Sequence, residues 1–159
     1  MRMIRIKYTL ILSVISLLFG IISWIIGGGI NRVILLYAFP RSAINIGFMF
    51  IFWGASFVFV GIILSGVLFG CEKYRRHSTN KIAICIILMQ IFTLVIYPLF
   101  FGAISPFITL LAIIISVFFC LLSILYSIKI YSLWTVCLCL HMIWLVYNAY
   151  ICLAFIFIN

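Results

Sequence analysis

A chain of 159 residues of which 69% are hydrophobic and 7% charged, with a mean hydropathy of +1.51, carries too little polar surface for a water-soluble domain. Its net charge of +9 does not point to nucleic acid, because the ten basic residues are dispersed among the ends and the short polar breaks. The single acid, Glu72, excludes paired-carboxylate catalysis and carboxylate proton relays inside a membrane. What remains is an integral membrane protein whose first partner is the lipid bilayer.

A hydrocarbon core of about 30 Å needs about 20 apolar residues per helical crossing. The polar interruptions cut the chain into five such runs, approximately 8–30, 44–70, 82–103, 105–127 and 131–158. Their continuous apolarity lacks the alternation of a membrane strand, so the fold class is all-α, one five-transmembrane-helix bundle over residues 1–159.

The first run opens "MRMIRIKYTLILSVISLLFG" with a basic flank, but it is too long for a signal peptide and no small-x-small site closes it. It reads as an uncleaved helix that the glycines at 27–29 end. In the second run Trp53, Phe57 and Gly61 recur at i, i+4 and i+8. Gly47, Gly54, Gly61 and Ser65 fall within about 40° of one another on helical geometry, a face suited to close backbone approach. Gly54 is expected to be a point of close approach, and Ile63 to face lipid.

The third run places Gln90, Thr93 and Tyr97 at i, i+3 and i+7. Between it and the fourth, "FFGAISPFI" offers only Gly102, Ser105 and Pro106 for a tight turn. The fifth run, "HMIWLVYNAYICLAFIFIN", carries His141, Trp144, Asn148, Cys152 and Asn159 within about 80° of helical azimuth. Polar side chains in lipid turn toward the bundle interior or a cavity. One reading of these stripes is interhelical packing, and the other is a pocket for a flat apolar ligand with a few polar groups, favoured by the tryptophan beside His and Asn. The six cysteines, 71, 85, 120, 137, 139 and 152, show no metal-ligand spacing and read as small hydrophobes. No metal site and no catalytic residue is expected.

The basic residues also give an orientation. Arg2, Arg5 and Lys7 precede the first run, Arg32 and Arg41 follow it, Lys73, Arg75, Arg76 and Lys81 separate the second from the third, and Lys129 separates the fourth from the fifth. By the positive-inside rule a cytoplasmic N-terminus puts eight of the ten inside, with the C-terminus outside.

Three stretches resemble the tryptophan-rich sensory protein and translocator protein (TspO/MBR) family. "YAFPRSAINIGFMFIFWGASFVFVG" is similar to the family's loop and second helix, with Pro40, Trp53 and Gly61 in place and Phe57 for a Tyr. "IYPLFFG" is similar to "WSPLFFG", matching Pro98, Leu99, Phe100, Phe101 and Gly102. The last run is similar to the family's final helix in Trp144 and Asn159, with His141 for a Tyr and Cys152 for an Asn. Phe39 stands for the loop Lys, Ile44 and Asn45 for a Pro pair, and Gly47, Ile96 and Ile156 for tryptophans.

The resemblance implies a bacterial cell-membrane bundle, often a homodimer, with a loop-capped pocket for a tetrapyrrole such as protoporphyrin IX or haem, used in sensing, transport or light-driven degradation. Taken with the polar stripes it gives a candidate site of Trp53, Phe57, Gln90, Thr93, Tyr97, Phe100, His141, Trp144 and Asn148, in which the resemblance ties Trp53 and Trp144 to porphyrin binding, capped by Arg32, Pro40 and Arg41, with the two arginines nearest to any ligand carboxylates. Two sterol-like patterns, Leu68/Tyr74/Arg76 and Leu122/Tyr126/Lys129, are too cheap in a leucine-rich chain to carry sterol recognition. A small exporter or channel subunit using the glycine face, and a structural subunit whose stripes only pack, stand as alternatives.

Overall fold

The computed structural model describes residues 2–28, 38, 40, 43, 46–69, 76–128 and 132–159, with side chains described for 6–28, 38, 40, 43, 48–69, 79–128 and 133–159. Five helices run through it: α1 (Arg2–Ile26), α2 (Ile46–Phe69), α3 (Arg76–Tyr97), α4 (Pro106–Ser127) and α5 (Ser132–Ile158). Each contains a stretch long and apolar enough to cross a bilayer. The protein is therefore an all-α five-helix membrane bundle.

The ends of the first and third helices depart from the sequence expectation. Helix α1 stops at Ile26, because Gly27 and Gly28 close it with bonds back to the Ser23 and Ile25 carbonyls. A Cβ on Gly27 would stand 3.0 Å from the Tyr97 carbonyl, so the glycine lets the chain end lie against α3. Helix α3 begins at Arg76, six residues before the apolar run, since "RHSTN" can wind as helix in the polar interface without being apolar.

Helix α3 runs into one π-helical turn, Pro98–Gly102, closed by Ala103 N–H to the Pro98 carbonyl at 2.9 Å. Pro98 is tolerated at the start of that turn, and Pro106 likewise opens α4. Between them Ile104 takes φ 50, a left-handed conformation that costs a β-branched residue about 1–2 kcal/mol. The reversal is completed by Ser105 N–H to the Leu99 carbonyl at 2.9 Å and Thr109 N–H to the Ser105 carbonyl at 3.0 Å.

Around the bundle, α1 packs mainly on α2, and α4 lies between α3 and α5, while α2 meets α3 and α5 more sparingly. Lipid is as apolar as leucine, so burial alone does not hold these helices together. Small residues and saturated polar groups do. Ser116, Ser123 and Ser127 of α4 are fully buried; Ser127 shares a 3.0 Å hydrogen bond with Thr135, and Ser116 accepts from Thr93 at 3.4 Å.

The α1–α2 contact follows the same rule and corrects two expectations. The point of closest approach is Gly61, where a Cβ would sit 2.7 Å from Ser13 Cα and 2.8 Å from the Leu12 carbonyl oxygen. At Gly54 a Cβ would meet only the Leu17 side chain, at an ordinary 3.4 Å. Ile63 does not face lipid: it is 0% exposed in the core, because it lies two residues past Gly61, on the side of α2 turned to the bundle. Ser65 hydrogen-bonds the Thr9 hydroxyl at 2.8 Å. Gly47 lies outside the residues with described side chains.

Candidate functional site

The polar stripe of α5 points inward, as its composition requires. His141, Trp144, Asn148 and Cys152 are all buried. Two of them are satisfied locally: Asn148 donates to the Trp144 carbonyl at 2.7 Å, and the Cys152 thiol donates to the Pro106 carbonyl at 3.0 Å. Asn159 is exposed, and its amide pairs with both backbone groups of Ala38, each at 3.0 Å, which ties the end of α5 to the segment after α1. His141 and Trp144 are different. Neither imidazole nitrogen has a hydrogen-bond partner, nor does Trp144 Nε1, although all three atoms are shielded from solvent.

Both residues line a groove of about 360 Å³ between α2 and α5. Its α2 wall is Phe52, Ala55, Ser56 and Phe59, at i, i+3, i+4 and i+7, and its α5 wall is Leu140, His141, Ile143, Trp144 and Tyr147. The Phe52 and Trp144 rings stack at 5.6 Å and 27°, and the Trp144 and Tyr147 rings at 5.4 Å and 25°. Ser56 spends its hydroxyl proton on the Trp53 carbonyl at 2.8 Å. The rim residues Phe52 and Ile143 are 49% and 64% exposed, so the groove opens sideways, toward lipid. Further along, the two helices close up again where Gly66 accommodates the Trp134 indole, which a Cβ would approach to 2.9 Å.

Of the residues expected in a pocket, the groove brings together only His141 and Trp144. Trp53 does not close it: the indole turns to the other side of α2, donates to the Gly20 carbonyl at 3.1 Å, and packs on Tyr97 and Phe57 with centroids at 4.2 and 4.9 Å. Phe57 fills the space over Gly20. The third-helix stripe divides between neighbours, Thr93 facing Ser116 of α4 while Tyr97 packs on Trp24 of α1. Both Gln90 amide atoms are buried without a partner, but Gln90 is not part of the groove. Tyr97, Phe100 and Asn148 line a separate void of about 10 Å³, room for one water-sized sphere. Pro40 is buried, whereas Arg32 and Arg41 lie outside the described residues.

The α2 wall was missed in the sequence because Trp53 drew the reading one residue away from Phe52, and one residue is a 100° turn. The signal available was the amphipathic-like spacing of 52, 55, 56 and 59, with the one serine of that set facing the two polar groups of α5. Among the described residues no group of three or more His, Cys, Asp or Glu is placed to hold a metal ion. The five described cysteines, Cys85, Cys120, Cys137, Cys139 and Cys152, are free thiols, and Cys120 serves as a weak donor to the Leu138 carbonyl at 3.5 Å.

Fold and groove together define the class: a five-helix integral membrane protein with an aromatic-walled, lipid-open groove carrying unsatisfied nitrogens. No protein-family model matches the chain, and no curated protein matches it.

Proposed function

We propose that this membrane protein binds a flat hydrophobic ligand in the α2–α5 groove, and that the ligand is a tetrapyrrole of the protoporphyrin or haem type. One observation carries the reading: three buried nitrogens, two on His141 and one on Trp144, are left without partners in a groove walled by stacked rings. A buried polar group without a partner costs about 1–3 kcal/mol, and a ligand that reaches it recovers that loss. The volume falls within the usual range for small-molecule sites, about 300–1,000 Å³. A large π-system suits the Phe52, Trp144 and Tyr147 rings. The resemblance to the TspO/MBR family adds the tetrapyrrole as the ligand class. The positive-inside count adds a cytoplasmic N-terminus, for which a reporter active only in the cytoplasm is expected to be silent when fused at Asn159.

Among the described residues the groove lining has no lysine or arginine, so within that lining recognition falls to the ring. Protoporphyrin IX and its uncharged dimethyl ester are expected to bind the purified protein in nanodiscs with similar affinity, followed by quenching of tryptophan fluorescence. Phe52→Leu combined with Trp144→Leu removes two ring contacts, each worth about 0.5–1.5 kcal/mol, and is expected to weaken both ligands by about tenfold. Unchanged binding by that double variant moves the site away from the groove. Absence of binding to the parent protein leaves a bundle whose stripes only pack.

A further inference from the structure

We infer that the groove selects a metal ion already chelated in a flat macrocycle, with the His141 imidazole as its one protein ligand; this rests on the groove reading above. Imidazole in its neutral form has one N–H and one nitrogen with a free lone pair. In His141 that lone pair has no donor: the residue is 1% exposed, and neither nitrogen is hydrogen-bonded. The protein offers little to satisfy it. Glu72 is the chain's only acid and lies outside the described residues, and the Ser56 proton is committed to Trp53. An uncommitted imidazole nitrogen on a residue that lines an apolar groove is a Lewis base as much as a hydrogen-bond acceptor.

A bare metal ion does not fit. Protein sites for such ions supply three or four side chains, and among the described residues none are so grouped. A metal that takes a single protein ligand must bring its other ligands with it. A planar tetrapyrrole does so, filling four equatorial positions with its own nitrogens and leaving only the axial ones, as in haem proteins held by one histidine. The lining also offers such a ring aromatic contact, from Phe52, Trp144 and Tyr147. Among the described residues of the lining, His141 is the one imidazole and there is no cysteine or methionine, so His141 is the side chain that would ligate a chelated metal there. Binding is a ligand exchange: the imidazole lone pair displaces water or chloride from the ferric ion, the N–H is retained, and no electron is transferred.

The test uses the full chain in nanodiscs, titrated in parallel with hemin and with metal-free protoporphyrin IX. Hemin is expected to bind one per chain with the absorption and resonance Raman signature of single imidazole ligation, and after reduction to take up carbon monoxide. His141→Phe is expected to lose that signature and weaken hemin by about tenfold or more, while protoporphyrin IX still binds, which also shows that the variant is folded. His141→Gly with added imidazole is expected to regain the spectrum. His77→Phe, removing the chain's other histidine, is expected to leave it unchanged. A signature that survives in His141→Phe, or disappears in His77→Phe, overturns the ligation and leaves the groove standing. Failure of the parent to bind either compound overturns the groove reading and the ligation with it.

Discussion

On its α1 side, helix α2 is saturated: Gly61 admits the backbone of α1, Ser65 bonds Thr9, and Trp53 donates to the Gly20 carbonyl. On its α5 side the same helix presents large rings, leaves a groove of about 360 Å³, and faces three nitrogens with no partner. The contrast teaches how a helix surface in lipid declares its use. Where water gives no push, contact is held by close backbone approach and completed hydrogen bonds. A face that has neither, yet buries polar atoms, is where the proposed ligand is placed.

The heaviest blow to this comparison should fall on the saturated side. Gly61→Leu puts side-chain volume where even a Cβ meets backbone, and is expected to cost about 3 kcal/mol or more, read as loss of a folded species on thermal unfolding in detergent. Gly54→Ala, meeting only the end of Leu17, is expected to unfold with the parent. Equal behaviour of the two would remove close approach as the basis of the α1–α2 contact.

The groove side should respond with the opposite sign. His141→Leu replaces an unpartnered polar group with an apolar one of similar size, so the ligand-free protein is expected to gain about 1–3 kcal/mol, measured as a raised Tm, while losing its hemin spectrum. A lowered Tm would mean that the imidazole is already satisfied. Next in size, Trp53→Phe loses one buried bond, about 1 kcal/mol, and should leave tetrapyrrole affinity as it was; a loss of affinity would return Trp53 to the site. The smallest effect is expected from Ser65→Ala, about 0.6 kcal/mol, resolvable by a double-mutant cycle with Thr9→Ala.

The helices were legible because a bilayer needs long apolar runs, and nothing subtler than length separates one crossing from the next. Helix ends were legible only where apolarity ended too, which is why the polar first turns of α3 escaped. The inward direction of His141, Trp144 and Asn148 followed from the cost of polar groups in lipid. Which neighbour each residue meets did not follow, because azimuth on one helix says nothing about the rotation of another. Thr93 and Tyr97 are four residues apart and serve different partners, α4 and α1. Ile63, expected to face lipid, is in the core, and Phe52 drew no expectation, for the same reason: a hydrophobic side chain on a membrane helix carries no label for core or lipid.

The reversal between α3 and α4 bears on how the chain enters a membrane in the first place. From Pro98 to Ser105 it contains no charged residue, and its N–H groups at Ala103 and Ser105 are bonded to carbonyls within the turn. Such a turn can pass through hydrocarbon without exposing those donors, so the two helices can insert as one preassembled hairpin. Nothing within the turn selects a side. By the positive-inside rule the choice would fall to Lys73, Arg75, Arg76 and Lys81 on one side and Lys129 on the other, so that five cations outside the turn would decide which way a third of the protein faces.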